Sequence, residues 1–254
     1  MDVSHKDGVT VIQLTGGSAT QSFSREFLPK IRDVILEHIG CKAIVITGEG
    51  RFFSAGADIV AFQESINEGN SVELIRHLTG ILHPLLLKMR TSETIFVAAL
   101  NGASAGGGLG LALACDARIA SPGGKMAASY SGIGLSPDGG TTWLLPRLVG
   151  EQVARKFFFE NQIWSADEAF ELGAVDEVVA EDRLIERAIE VASTWSQWGT
   201  HTKEATKHLL LTQNVNDFET HLKHERTLIE AAGTTPAFAE GIDAFLSKRK
   251  PDFS

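Results

Sequence analysis

Three short stretches of this chain carry residue types and spacings that could do chemistry. The first is Asn101–Gly108 (NGASAGGG), with four glycines in eight residues. It lies between an apolar, β-branched run, Thr94–Leu100, and a small apolar run, Leu109–Cys115. A strand feeding a glycine turn that opens a buried helix leaves backbone N–H groups unpaired and adds the partial positive charge of the helix dipole. Glycine lets a ligand approach that backbone closely. The expected guest carries negative charge or develops it. Four readings compete: a plain tight turn, a phosphate cradle, a nucleophile elbow and a backbone oxyanion hole. The cradle lacks a following Lys-Ser or Lys-Thr and any G-x-G-x-x-G register. Gly102–Gly106 does match G-x-S-x-G, with Ser104 as nucleophile. In the fourth reading Ser104 is incidental. The second stretch is Phe52–Asp58 (FFSAGAD), a small-residue loop after a strand. The third is Pro137-Asp138-Gly139-Gly140, leading into a helix from about Thr141. Asp138 there is either a turn or N-cap aspartate or an acid/base group.

The elements that must position these stretches follow from periodicity. Strands are expected at Val9–Leu14, Ala43–Thr47, Thr94–Leu100, Ala117–Ala120, Lys125–Ala128 and Val175–Val179. Helices are expected at Ser24–Ile39, Ser71–Met89, Leu109–Cys115 and from Thr141. Further helices are expected at Val153–Phe159, Ala166–Leu172, Arg183–Trp198, Thr202–Thr212, Phe218–Ala232 and Ala237–Leu246. Strands alternate with helices early and helices dominate late, the pattern of an α/β core with a helical C-terminal part. The division falls at 1–197 and 198–254. There is no internal repeat.

Composition sets the outer bounds. A chain of 254 residues, 43% hydrophobic and 22% charged, can bury a sizeable core. Its net charge of -9 speaks against nucleic acid or an anionic membrane as partner. Cys41 and Cys115, the two cysteines, lie far apart without metal-type spacing, which suits a reducing compartment. The start, MDVSHKDG, has no apolar segment of a secretory signal, so a cytoplasmic protein is expected. Ile95–Cys115 is uncharged and long enough to span a bilayer, but its glycines, Asn101 and Ser104 favour soluble core.

The two loops FFSAGAD and NGASAGGG, about fifty residues apart and each after a strand, resemble those of the crotonase, or enoyl-CoA hydratase/isomerase, superfamily. Pro137–Gly150 (PDGGTTWLLPRLVG), Glu171–Val179 (ELGAVDEVV) and Phe245–Phe253 (FLSKRKPDF) extend the resemblance in order over nearly the whole chain. It implies a crotonase-like spiral of ββα turns with a helical C-terminal trimerisation region. It also implies a homotrimer or dimer of trimers and acyl-CoA thioester substrates, coenzyme A being part of the substrate and no separate cofactor needed. The backbone N–H groups of Ala55 and Gly107 would form the oxyanion hole. The loop of Ser54, Gly56, Ala57 and Asp58 would lie along the nucleotide, and Tyr130 would line the substrate site. Phe245 and Lys248 would be offered to the nucleotide by a neighbouring subunit.

Within that family the chemistry turns on carboxylates. Hydratase members use two glutamates, at positions occupied here by Gly110 and Tyr130, so ordinary hydration is disfavoured. Pro137–Gly150 resembles the ring-1,2-epoxyphenylacetyl-CoA isomerase branch, where the corresponding Asp is the acid/base group. Asp138 then suffices for a double-bond shift or a ring-epoxide rearrangement, in an apolar cleft expected from Ile133, Leu135, Trp143 and Leu144. Aryl-CoA dehalogenases place a nucleophilic Asp at the position of Asp138, a His at His83 and a Trp where Tyr130 stands. A non-catalytic acyl-CoA binder and, more distantly, a serine hydrolase using Ser104 with Asp138 and His201 complete the alternatives.

Overall fold

A computed structural model describes residues 1–16 and 18–253. The chain begins with two paired strands, β1 (Asp2–Lys6) and β2 (Val9–Gln13), then helix α1 (Phe27–His38). It then repeats one unit, in which two strands are followed by helix. The first unit is β3 (Ala43–Thr47), β4 (Phe52–Ser54), α2 (Ile59–Glu68) and α3 (Ser71–Thr91). The second is β5 (Ile95–Leu100), β6 (Ala103–Ala105) and α4 (Gly107–Ala114). The third is β7 (Ala117–Ala120), β8 (Lys125–Ala127), α5 (Thr141–Val149) and α6 (Glu151–Phe159). After these come β9 (Ile163–Ser165), α7 (Ala166–Glu171), β10 (Glu177–Val178) and α8 (Leu184–Ser196). The chain closes with α9 (Thr200–Thr212), α10 (Phe218–Ala232) and α11 (Pro236–Leu246).

Each unit gives its first strand to one sheet and its second to another, and this division makes the spiral. The larger sheet runs β1-β2-β3-β5-β7-β10 and the smaller β4-β6-β8-β9. All neighbours are parallel except β1 with β2 and β8 with β9. Side chains alternate across the large sheet, as a period of two requires. Ile44, Ile46, Phe96 and Ala98 pack with Leu28, Ile31, Leu82 and Leu111 of the helices on one face. Val45, Val97, Ala99 and Ile119 pack against Leu184, Ala188 and Ile189 of α8 on the other.

Several elements differ from the sequence expectation. The FFSAGAD stretch opens as a strand, β4, because β6 pairs with it at Phe52↔Ala103. The presumed turn cluster at 101–108 likewise contains β6, held between β4 and β8. α2 and the exposed edge strand β1 are not among the elements expected from the sequence. Ile95–Cys115 is divided among β5, β6 and α4, and among the described residues no helix is long and apolar enough to cross a membrane.

The helical C-terminal part is fastened to the core by one buried lysine. Lys207 of α9 donates to the carbonyls of Met89 (3.0 Å) and Thr94 (2.8 Å) and to Asp116 Oδ2 (2.9 Å). Burial pulls its pKa below the ordinary lysine value, and Asp116 pulls it back.

Candidate active site

The first loop leaves β4 at Ser54, whose wholly buried hydroxyl donates to the Gln21 carbonyl (2.9 Å) and accepts the Gly56 N–H (3.2 Å). The Ala55 N–H donates to the Thr20 carbonyl at 2.9 Å. Phe23 N–H then donates to the Gly56 carbonyl (2.7 Å), and Asp58 N–H to the Phe23 carbonyl (3.4 Å). What remains is the Ala57 N–H, which has no acceptor among the described residues. Asp58 ends the loop as the N-cap of α2, its carboxylate accepting the Val60 N–H at 2.9 Å.

The second loop delivers its own free amide. Gly106, at φ +51°, is the N-cap of α4, so the Gly107 N–H belongs to a first turn that has no intrahelical acceptor. The two loops touch backbone to backbone at Gly56. That residue has φ +76°, and a Cβ on it would lie 2.6 Å from the Ala105 carbonyl oxygen and 2.8 Å from the Gly107 nitrogen. Asn101 sets the approach by accepting the Gly48 N–H (2.8 Å) and donating to the carbonyls of Gly50 (3.0 Å) and Phe52 (3.2 Å). Sequence reasoning saw Asn101 only as a turn residue. The expected donor Ala55 is already engaged with Thr20, so the available pair is Ala57 with Gly107. Ser54 is likewise a buried strut of the loop rather than a substrate contact.

Asp138 comes to this junction on a loop that packs against α4. A Cβ on Gly139 would lie 3.5 Å from the Gly110 Cα and 3.7 Å from the Gly107 Cα. The Asp138 backbone carbonyl accepts the Tyr130 hydroxyl (3.2 Å), the Thr141 N–H (3.2 Å) and the Thr141 hydroxyl (2.9 Å). Its carboxylate does not cap α5, whose N-cap is Gly140 without a side-chain bond. The carboxylate is instead one-third exposed, with Oδ2 3.4 Å from His83 Nε2. The same ring nitrogen lies 3.3 Å from the Gly139 N. Nε2 accepts from the Gly139 N–H in one tautomer and, carrying its own proton, donates to Asp138 in the other. Burial, then the Asp138 charge, pushes the Tyr130 phenol well above its usual range, so it stays a neutral donor.

The cleft expected around Asp138 is not assembled from the four residues near it in sequence. Trp143 and Leu144 line a cavity of about 460 Å³ with His83, Leu86, Gly139 and Leu211 of α9. Ile133 and Leu135 line a separate pocket of about 280 Å³ with Phe62 and Ile75.

The family model for enoyl-CoA hydratase/isomerase matches residues 4–254. The chain belongs to the enoyl-CoA hydratase/isomerase family. It is 30% identical to the 4-chlorobenzoyl coenzyme A dehalogenase-2 of Arthrobacter sp, over 98% of this chain and 91% of that protein. It is 29% identical to the 1,2-epoxyphenylacetyl-CoA isomerase of Escherichia coli (strain K12), over 97% and 95%. Among solved structures, an enoyl-CoA hydratase from Polaromonas sp. JS666 superposes with a TM-score of 0.91 at 27% identity, covering 99% and 98% of the two chains.

Seen as a member of the enoyl-CoA hydratase/isomerase family, the chain has a physical reason to lack a glutamate at position 110. A Cβ on Gly110 would fall 2.5 Å from the Gly139 carbonyl oxygen, so the loop bearing Asp138 fills that space. Tyr130 stands buried at the other glutamate position, bonded to the same loop. The serine-hydrolase alternative does not assemble. Ser104 is wholly buried and donates to the Lys125 carbonyl at 3.0 Å, while His201 Nε2 is engaged with the Leu228 carbonyl at 2.9 Å. Phe245 (81% exposed) and Lys248 lie on the surface of the C-terminal region, and within one chain they are not part of the loop cluster.

Proposed function

We propose that the chain is an acyl-CoA isomerase that shifts a double bond through an enolate, with Asp138 carrying the proton. The observation that carries this reading is a carboxylate on the loop packed over Gly107 and Gly110, beside two unengaged backbone amides. The thioester oxygen of a 3-enoyl-CoA would accept from the Ala57 and Gly107 N–H groups. Asp138 would take a proton from C2, the charge would move to the thioester oxygen, and the proton would return at C4 to leave the 2-enoyl thioester. Preorganised donors of this kind are each worth about 10²–10³ in rate. His83 would hold the carboxylate in place. Rearrangement of a ring epoxide, as in the name of the Escherichia coli relative, uses the same groups.

The Gly56–Asp58 loop would lie along coenzyme A, and Phe245 and Lys248 would reach the nucleotide of a neighbouring subunit in a homotrimer or dimer of trimers. The exposed apolar faces of α11, with Phe238, Ile242, Phe245 and Leu246, support such an assembly.

The His83–Asp138 contact favours one second reading, aryl-CoA dehalogenation, in line with the name of the Arthrobacter relative. There Asp138 would attack the chlorinated ring carbon and expel chloride, and His83 would activate water to hydrolyse the resulting ester. Buried Tyr130, in place of the family's Trp, weighs against it.

The deciding experiment offers trans-3-hexenoyl-CoA, crotonyl-CoA and 4-chlorobenzoyl-CoA to wild type and Asp138→Asn. Isomerisation by wild type, reduced about 10²–10⁴ in the variant with thioester affinity retained, is the expected result. Chloride release would establish the second reading. Tight binding with no turnover and no deuterium exchange at C2 or C4 would make the protein a binder and end the proposal.

A further inference from the structure

Asp138 ends a surface loop that has little of its own to hold it. Ser131 to Gly134 and Ser136 are exposed, while Tyr130, where the loop begins, is buried. The Tyr130 carbonyl accepts the N–H groups of Ile133 and Leu135, both at 3.1 Å. The hydroxyl of the same residue donates to the Asp138 carbonyl at 3.2 Å. One buried residue therefore ties the loop at both ends.

The Tyr130 side chain also meets the other loop of the site. A Cβ on Gly106 would lie 4.0 Å from the Tyr130 Cε1, and Gly106 is the N-cap that precedes the free Gly107 amide. Thr141 gives its N–H (3.2 Å) and its hydroxyl (2.9 Å) to the same Asp138 carbonyl, but it stands only three residues on, at the start of α5. Bonds that local turn the peptide without relating it to α4. Among the described residues no side chain outside α5 other than Tyr130 donates to the Asp138 carbonyl. Burial, then the Asp138 charge, raises the phenol, so the hydroxyl keeps its proton and lies within electrostatic reach of that carboxylate.

We propose that Tyr130 is a positioning residue for the proton shift, fixing the span between the Gly107 amide and the Asp138 carboxylate so that one carboxylate serves both C2 and C4. This inference rests on the isomerase reading above. With the enolate oxygen at the Ala57 and Gly107 amides, the proton taken from C2 resides on Asp138. It then passes to C4, or it exchanges with water, because the carboxylate is one-third exposed. A carboxylate held over both carbons favours the first outcome. One free to swing favours the second, and the enolate is then reprotonated with a solvent proton.

The test gives trans-3-hexenoyl-CoA in D2O to wild type and Tyr130→Phe, which keeps the ring and loses the hydroxyl. Turnover, thioester affinity and deuterium at C2 of recovered substrate and C4 of product are measured. Turnover by Tyr130→Phe is expected to fall about 10–10²-fold, the scale of a small misplacement of a catalytic group. Affinity is unchanged, and deuterium exchange per turnover rises. A loss of packing alone would lower exchange and turnover together. An exchange ratio that stays at the wild-type value, with turnover lowered or not, overturns the inference and leaves the isomerase reading standing. Wild type that neither isomerises the thioester nor exchanges C2 overturns both.

Discussion

Gly110 lies so close beneath Gly139 that a β-carbon on Gly110 would sit 2.5 Å from the Gly139 carbonyl oxygen. The loop that brings Asp138 to the free Ala57 and Gly107 amides therefore occupies the space that a side chain at position 110 would need. The two arrangements exclude each other at this position. Gly110→Glu is expected to yield no crotonyl-CoA hydration and to destabilise the chain by about 1–3 kcal/mol, the cost of overpacking. Thermal melting together with a hydration assay checks this, and a folded variant that hydrates crotonyl-CoA would contradict it.

Gly56→Ala attacks the meeting of the two loops directly. The residue has φ +76°, and its new Cβ would press on the Ala105 carbonyl and the Gly107 nitrogen. Thioester affinity and turnover are expected to fall together, because both amides move. Ser104→Ala, as a control, removes one hydrogen bond to Lys125, costs about 1 kcal/mol of stability and leaves turnover near wild type. Loss of activity in the control alone would restore the hydrolase alternative.

Tyr130 is the chain's single tyrosine, so its ionisation can be read from phenolate absorbance. Its phenol is raised above the reference value of 10.0 by burial and then by Asp138. Above that pH the unfolded chain has released a proton that the folded chain keeps, so this group makes stability fall as pH rises. Tyr130→Phe is expected to abolish that slope. In the native protein no phenolate should form near pH 10, and a titration midpoint there would show the site to be more open than described.

Lys207→Met removes the fastening of α9 and leaves the carbonyls of Met89 and Thr94 without their donor. Arg90 still reaches Asp116, so the expected loss is about 1.5–3 kcal/mol rather than that of a fully orphaned charge. Denaturant unfolding measures it. A double mutant with Asp116→Asn should lose less than the sum of the two single changes.

Assembly follows from the C-terminal surface. Phe238, Ile242, Phe245 and Leu246 are all at least 48% exposed, an apolar face that a soluble monomer seldom leaves uncovered. Sedimentation at micromolar concentration is expected to give a trimer or hexamer. A stable monomer would remove the neighbouring subunit to which Phe245 and Lys248 are assigned.

Much of this was written locally. Ala43–Thr47 and Thr94–Leu100 are short buried runs that read as strands anywhere, and Gly107 at a helix start is a property of its own neighbours. Asp138 between Pro137 and two glycines was also visible as a candidate. What the tertiary structure decided was which groups meet and which are left over. In an extended chain N–H groups two residues apart point to the same side, but Gly56 at φ +76° turns the backbone between Ala55 and Ala57, so which of the two is free depends on pairing with Thr20 and Phe23 some thirty-five residues earlier. That partner gave no local signal, and the Ala55 N–H expected to be free is engaged with Thr20. β4 and β6 are strands because each supplies the other's hydrogen bonds. His83 and Asp138 are joined by the packing of α3 beside the 138–140 loop, and Lys207 is placed by its bond to Asp116 91 residues earlier. Composition and spacing fix which chemical groups are present, but an unpaired amide is a statement about every neighbour at once, and only the folded chain makes it.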